Sequence, residues 1–559
     1  MKGDLFLSVP RYYSPIINPH PTEEGKDYWW RGASIYHVYP RSFLDSDGDG
    51  VGDIKGITEG LDHIASLEVD AIWISPFFKS PMRDFGYDVS DYCSVDPLFG
   101  RMEDFEELIE KAHALNLKII IDQVYSHTSD EHDWFRESRQ DQNNPKADWY
   151  VWRDAKPDGS PPNNWQSYFG GPAWQWDGYR RQYYLHNFLP CQPDLNVHNP
   201  EVQDALLDVA RFWLEKGVDG FRLDAVNFMM HDLAFRDNPP SGLPMQFVTR
   251  PFDMQRHDYN RSHPGIVIFL ERLRSVLDEY GIKFTVAEVA GPEPITELMA
   301  FTEGDRRLNS AYSFDFLYLP ELTADVTERA LSYWNEEDGQ GWPSWAFSNH
   351  DAPRALTRWS HGANTEGHAK LYLLLLASLR GNIFIYQGEE LALPQANVPF
   401  EFLQDPEAIE NWPHTLGRDG ARTAMPWNSH VPFGGFSNKD PWLPIDDAHL
   451  ERTIDKQEAQ LSSTLHFTRK IMKVRQATRS LRVGSLNVLP SPDGVLAIMR
   501  GHGDTRVLCI FNLTNEVKFW APEIEDGMAV IVDSHGYMGS VPGVLPPMYG
   551  YWAQICEEA

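Results

Sequence analysis

Residues 102–123 read MEDFEELIEKAHALNLKIIIDQ. Apolar residues recur at helical spacing through 102–116, and a short run of β-branched residues follows at Lys118–Gln123. The same alternation extends in both directions. Strands are expected at Ser34–Tyr39, Ala71–Ser75, Lys118–Gln123, Gly220–Leu223, Thr285–Glu288, Ala311–Phe316, Trp345–Asn349 and Ile383–Gln387. PEVQDALLDVARFWLEKG (200–217) precedes the fourth strand, with Pro200 suited to a first helical position. HAKLYLLLLASLRG (368–381) is apolar nearly all round, as a buried helix is. Eight β/α alternations point to a parallel (β/α)8 TIM barrel, with a doubly wound open sheet as the rival.

Two connections are too long for plain βα loops. The stretch 127–199 carries Trp134, Trp149, Trp152, Trp165, Trp174 and Trp176, and is read as an inserted subdomain covering a pocket. A second long loop spans about 391–436. From about Gly484, short alternating runs separated by turn residues predict a C-terminal antiparallel β-sandwich domain. The expected division is an unassigned extension at 1–28, a barrel at 29–126 and 200–480, the inserted subdomain at 127–199 and the β domain at 481–559.

Of the 559 residues, 42% are hydrophobic and 23% charged, which excludes wholesale disorder. Lys and Arg total 49 against 81 Asp and Glu, a formal net charge of −32. Such acidity repels phosphate backbones and anionic lipid, so neither nucleic acid nor a membrane surface is expected as a partner. No run of 18 apolar residues suggests a membrane span, and the N-terminal stretch makes a poor signal peptide, so a cytoplasmic location is expected, with the periplasm left open. Cys93, Cys191, Cys509 and Cys556 form no dense framework and are expected as free thiols.

In a (β/α)8 barrel the chemistry comes from the C-terminal ends of the strands. Those ends offer Asp122 and His127 after strand three, Arg222 and Asp224 in GFRLDAV, Glu288 in VAEVAG, and His350 and Asp351 in FSNHDAPR. The second βα loop adds Tyr87 and Asp88 in FGYDVSDY. Arg222 lies two residues before Asp224 and so faces the same side; pairing is expected to keep Asp224 ionised, as a nucleophile requires. Glu288 lies in an apolar strand, where desolvation raises a carboxyl toward the range of a general acid. Two such carboxyls on adjacent strands suit glycoside hydrolysis.

The segments IYHVYPRSF (35–43), DSDGDGVGD (45–53), GYDVSDY (86–92), IIIDQVYSHTSDEH (119–132), QPDLN (192–196), GFRLDAV (220–226), AEV (287–289), SNHD (348–351), YQGEE (386–390) and GARTAMPW (420–427) follow one another in order. The chain thereby resembles the α-amylase superfamily of glycoside hydrolases, in its oligo-1,6-glucosidase and α-glucosidase branch. The resemblance implies Asp224 as nucleophile, Glu288 as acid/base and Asp351 as transition-state stabiliser. It implies that His127, His350 and Arg222 bind hydroxyls around the reacting ring. Asp88 and Arg422 are then expected to grip the far hydroxyls of a terminal glucose, with Tyr87 and Phe169 against its apolar face. Ala287, Ala424 and His37 depart from the residues usual in relatives at those positions.

DSDGDGVGD places Asp45, Asp47, Asp49 and Asp53 at the spacing of a calcium loop, with the Val51 carbonyl as a further ligand. Position twelve is Gly56 and a strand precedes the loop, so it is no EF-hand; a solvated acidic turn is the alternative. The resemblance favours a structural Ca²⁺ that takes no part in catalysis, and no organic cofactor is expected. After the nucleophile, relatives that cleave α-1,6 bonds carry Val, whereas Ala225 leaves more room and favours α-1,4 bonds of maltose type, with sucrose also open. The expected activity is a retaining, exo-acting α-glucosidase that also transfers glucose to alcohol or sugar acceptors, working as a monomer or homodimer. A sucrose isomerase, a trehalose-forming mutase and a dedicated glucosyltransferase are rivals within the family. A non-catalytic sugar-binding or transporter-associated subunit is the rival from another class.

Overall fold

A computed structural model describes residues 28–556 apart from 290, 292, 335–340, 364, 416, 523–526 and 537–540. The expected N-terminal extension lies, but for Tyr28, outside the described residues. Eight strands close into a parallel barrel: β1 (Ser34–Val38), β2 (Ala71–Ile74), β3 (Lys118–Val124), β4 (Gly220–Asp224), β5 (Phe284–Val289), β6 (Ser310–Ser313), β7 (Trp342–Ala346) and β8 (Asn382–Tyr386). Each pairs with its sequence neighbours, and β8 closes onto β1. The open-sheet alternative is thereby excluded. Strands buried on both faces explain the continuous apolar runs from which they were read.

The helices expected at 102–116, 200–217 and 368–381 occupy Met102–Ala114, Pro200–Glu215 and Glu366–Ser378. Asn199 caps the second by accepting from the Glu201 amide, and Pro200 is its first residue. The seventh strand begins three residues earlier than expected and includes Pro343. A proline is tolerated there because the β6–β7 ladder is only two residue pairs long. Beyond β7, the Asn349 side chain accepts from the amides of Asp351 and Ala352, shaping the loop that carries His350 and Asp351.

Within 127–199, three short strands form an antiparallel sheet in the order Trp152–Arg153, Gln182–Leu185, Trp174–Asp177. Trp165 and Trp174 pack with Val151, Ala173 and Leu185 in this unit's own core. The C-terminal part holds a five-stranded antiparallel sheet and a two-stranded ribbon. Its Leu496, Ile498, Cys509 and Trp552 share one apolar core with the barrel helices. Cys93, Cys191 and Cys509 are free thiols. Among the described residues no helix is long and apolar enough to cross a membrane.

Candidate active site

The site is built around Arg222, which is fully buried. The register of β3 against β4 sets Asp122 directly opposite Arg222. Nη1 of Arg222 donates to Asp122 at 2.7 Å and to Asp224 at 2.6 Å. Its Nη2 donates to Glu288, and its Nε reaches the Tyr312 hydroxyl at 3.1 Å. One guanidinium therefore holds three carboxyl groups from three adjacent strands, and its Cζ lies 5.0 Å from the centre of the Trp73 ring. Trp73 Nε1 and the Tyr87 hydroxyl donate to the other Asp122 oxygen. Asp122 is thus fully committed and does not line the pocket, whereas Asp224 and Glu288 do. Immediately after Asp224, Ala225 takes a left-handed conformation (φ 42°, ψ 40°) that turns the chain away and leaves Ala225 on the pocket wall.

In a buried site, three acids around one cation raise one another's pKa. Burial pushes the Glu288 carboxyl up to about 7, against the pull of Arg222. Asp224 is also pushed upward, by burial first and then by Glu288, Asp122 and Asp351, while Arg222 pulls it down. Arg222 therefore lowers Asp224 as expected, but burial and the neighbouring acids outweigh it. Asp351 differs. Burial raises it, but Arg422 and Arg418 outweigh burial and hold it below the usual carboxylate range. Arg422 Nη2 stands 2.6 Å from Asp351, and its Nε donates to the His350 carbonyl.

The remaining expected residues sort into two groups. Tyr87, His127 and Phe169 line the pocket with Asp224, Glu288 and Asp351. His350 lies behind Tyr87, stacked on it at 5.5 Å and 2°, with Nε2 2.7 Å from the Tyr87 hydroxyl. Burial pushes His127 down to about 4, so it is neutral at ordinary pH.

Asp88 and Arg422 do not reach the pocket as expected. The two Asp88 oxygens accept from Ser80 Oγ and from the amides of Arg83 and Asp84, so Asp88 anchors the turn that presents its neighbours. Asp84 takes the expected place. It lines the pocket, pairs with Arg418 at 3.0 Å and accepts from Gln192 of QPDLN at 3.0 Å. Arg418 also lines the pocket and is fastened behind by Asp405 at 2.8 Å. Both residues lie next to quoted motifs, in RDFGYDV and GRDGARTAMPW. What could have found them is a complementary pair flanking two motifs of one wall. Tyr168, Phe188, Asn227, Phe228, Arg261, Phe314, Tyr318 and Glu407 complete the lining.

In the acidic loop, Asp45, Asp47 and Asp49 each bring a carboxylate oxygen within 4.8 Å of the others. Asp53 stands apart from this group: its oxygens accept from Ser46 and from the Gly56 amide, capping the helix Ile54–Ser66. The Val51 amide donates to Asp49. Gly50 (φ 101°) is required here, because a Cβ would meet the Asp440 carbonyl at 2.5 Å.

A model of the alpha-amylase catalytic domain matches residues 37–484. The chain belongs to the alpha-amylase family. It is accordingly a glycoside hydrolase by family. It is 49% identical over 523 residues to a probable alpha-glucosidase of Rhizobium meliloti (strain 1021), covering 92% of this chain and 94% of that one. It is 34% identical to an oligo-1,6-glucosidase of Parageobacillus thermoglucosidasius, over 87% of this chain and 91% of that one. Among solved structures, the alpha-glucosyl transfer enzyme XgtA superposes with a TM-score of 0.91 at 48% identity, over 95% of this chain and all of that one.

Proposed function

We propose that this family member is a retaining, exo-acting α-glucosidase. It takes short α-glucosides, prefers α-1,4 bonds, and passes glucose to alcohol or sugar acceptors as well as to water. The observation that carries the reading is the single guanidinium shared by Asp224 and Glu288. The two ends of one fork reach only carboxylates that stand close together. Two carboxyls held together at the barrel end are what double displacement needs, one to attack and one to give a proton.

In this mechanism Asp224 attacks the anomeric carbon as Glu288 gives its proton to the departing glycosidic oxygen. The C1–O bond breaks and an ester to Asp224 forms. An acceptor hydroxyl then bonds to C1, the ester breaks, and Glu288 takes the acceptor's proton. Asp351, kept anionic by Arg422 and Arg418, binds hydroxyls of the distorted sugar and the charge developing on its ring. The Asp84–Arg418 pair, backed by Asp405, supplies a charged wall for the far hydroxyls of a terminal glucose. Similarity to an alpha-glucosyl transfer enzyme supports the transfer component, and the small Ala225 side chain supports α-1,4 preference. Comparing initial rates on maltose, isomaltose and sucrose tests the linkage: maltose turned over first supports it, and isomaltose preferred would replace it with α-1,6.

The acidic loop suits Ca²⁺ by its donors. Burial, and the negative charges of Asp49, Asp53 and Asp45, push the Asp47 carboxyl up, a repulsion a dication relieves. Asp45, Asp47, Asp49 and the Val51 carbonyl would hold the ion, while Asp53 starts the helix. The ion would brace the loop and supply no chemistry to the reaction.

A further inference from the structure

The pocket lining grades from buried to exposed. Asp84, Tyr87 and His127 are at most 6% exposed, whereas Tyr318 is 47% exposed and Glu407 is partly open. Tyr318 and Glu407 therefore mark the mouth, through which a leaving group departs and an acceptor enters. Three chain excursions converge beside Glu407. The first is the inserted unit after β3, which supplies Tyr168. The second follows β4 and is pinched at its base by the Pro240–Gln255 bridge and by the Ser241 amide on the Met254 carbonyl. The third follows β8 and supplies Glu407 in the short helix Pro406–Asn411.

Arg250 joins all three. It belongs to the second excursion and is itself absent from the lining. Its Nη1 stands 3.0 Å from Glu407, and its guanidinium lies 4.0 Å over the Tyr168 ring. The pair is largely shielded, with side chains 15% and 19% exposed, so solvent does not screen it away. The fork's remaining reach goes to Asp253 at 3.4 Å, which fixes Arg250 to its own turn.

We propose that Arg250 is a positioning residue for the acceptor: by bracketing Tyr168 and Glu407 it fixes the shape of the pocket mouth and so sets how the glucosyl-enzyme divides between water and a hydroxylated acceptor. The inference rests on the transfer reading above. Water needs no shaped wall to reach C1. An alcohol or sugar must be held and oriented, and it gains rate from a wall already in place. Loosening the bracket therefore penalises transfer more than hydrolysis, and penalises the first step least, because that step is organised at the buried end.

The test uses the full chain with p-nitrophenyl α-glucoside as donor and glycerol as acceptor. Nitrophenol release reports formation of the glucosyl-enzyme, and NMR gives the ratio of glucosylglycerol to glucose. For Arg250→Ala, kcat/KM for nitrophenol release should stay within about threefold of the unsubstituted enzyme. The transfer-to-hydrolysis ratio should fall roughly tenfold, with a higher glycerol concentration needed for half-maximal transfer. Arg250→Lys, which retains the charge but not the planar fork, should recover part of the ratio. An unchanged ratio in Arg250→Ala, or release falling as far as transfer, overturns the proposal. So does an unsubstituted enzyme that releases nitrophenol but makes no glucosylglycerol. Absence of nitrophenol release from the unsubstituted enzyme overturns the glycosidase reading itself, and this inference with it.

Discussion

Arg222 organises the site one atom at a time: Nη1 faces Asp122 and Asp224, Nη2 faces Glu288, and Nε faces Tyr312. Asp224→Asn is expected to abolish turnover while leaving sugar binding measurable by calorimetry; full activity would remove Asp224 from the mechanism. Glu288→Gln should lose about 10²–10⁴ in rate on maltose and much less on an activated aryl glucoside. Equal losses would count against the acid role. Because Glu288 must carry a proton to act and burial pushes it up to about 7, kcat/KM should fall as pH rises through about 7. That alkaline limb should vanish in Glu288→Gln. A third expectation separates two neighbouring acids. Asp84→Asn should raise KM strongly with little thermal change, whereas Asp88→Asn should lower Tm, since it frees buried amides of the turn. The strand-end acids were legible in the sequence because strand direction alone places them. The choice of Asp84 over Asp88 was not, because it depends on the turn between them, where Phe85 adopts φ 52°.

The acidic loop and the C-terminal sheet act as braces at the level of elements. Asp45 accepts from Ser437, and the Gly50 carbonyl accepts from the Trp442 amide, so the loop holds down the segment after β8. Chelation of Ca²⁺ is expected to lower Tm more than it lowers initial rate at low temperature. At a hundredfold excess over Kd, a bound ion contributes about 2.7 kcal/mol. No thermal shift on chelation would favour the solvated-turn alternative. Arg500 and Arg475 fasten the helix Glu366–Ser378 to the region before the C-terminal sheet. Arg500 donates to the Ser378 and Leu481 carbonyls, and Arg475 to those of Ala377 and Leu481. Arg500→Ala should therefore cost roughly 1–3 kcal/mol for each carbonyl it strands, read as a lower Tm with KM unchanged. Elements with a strong period were legible to within a few residues. The start of β7 was displaced by three residues, because Pro343 argues locally against a strand and only its short ladder with β6 admits it.

The molecule as a whole is a barrel whose apolar core runs on into the C-terminal sheet, with the chemistry confined to one end. Its architecture was readable because a βα repeat leaves a periodic trace in the chain. The pocket wall was less so, because it is assembled from the segments after β2, β3, β4, β6, β7 and β8, which meet only in space. The inserted unit illustrates this: Trp165 and Trp174 stood out in the sequence yet fill its own core, while Tyr168, Phe169 and Phe188 face the pocket. The net charge of −32 fits a neutral sugar substrate better than an anionic polymer. The decisive measurement is proton NMR of the first product formed from maltose, recorded before mutarotation. Double displacement at Asp224 predicts that the α-glucose signal leads; a leading β-glucose signal would contradict it.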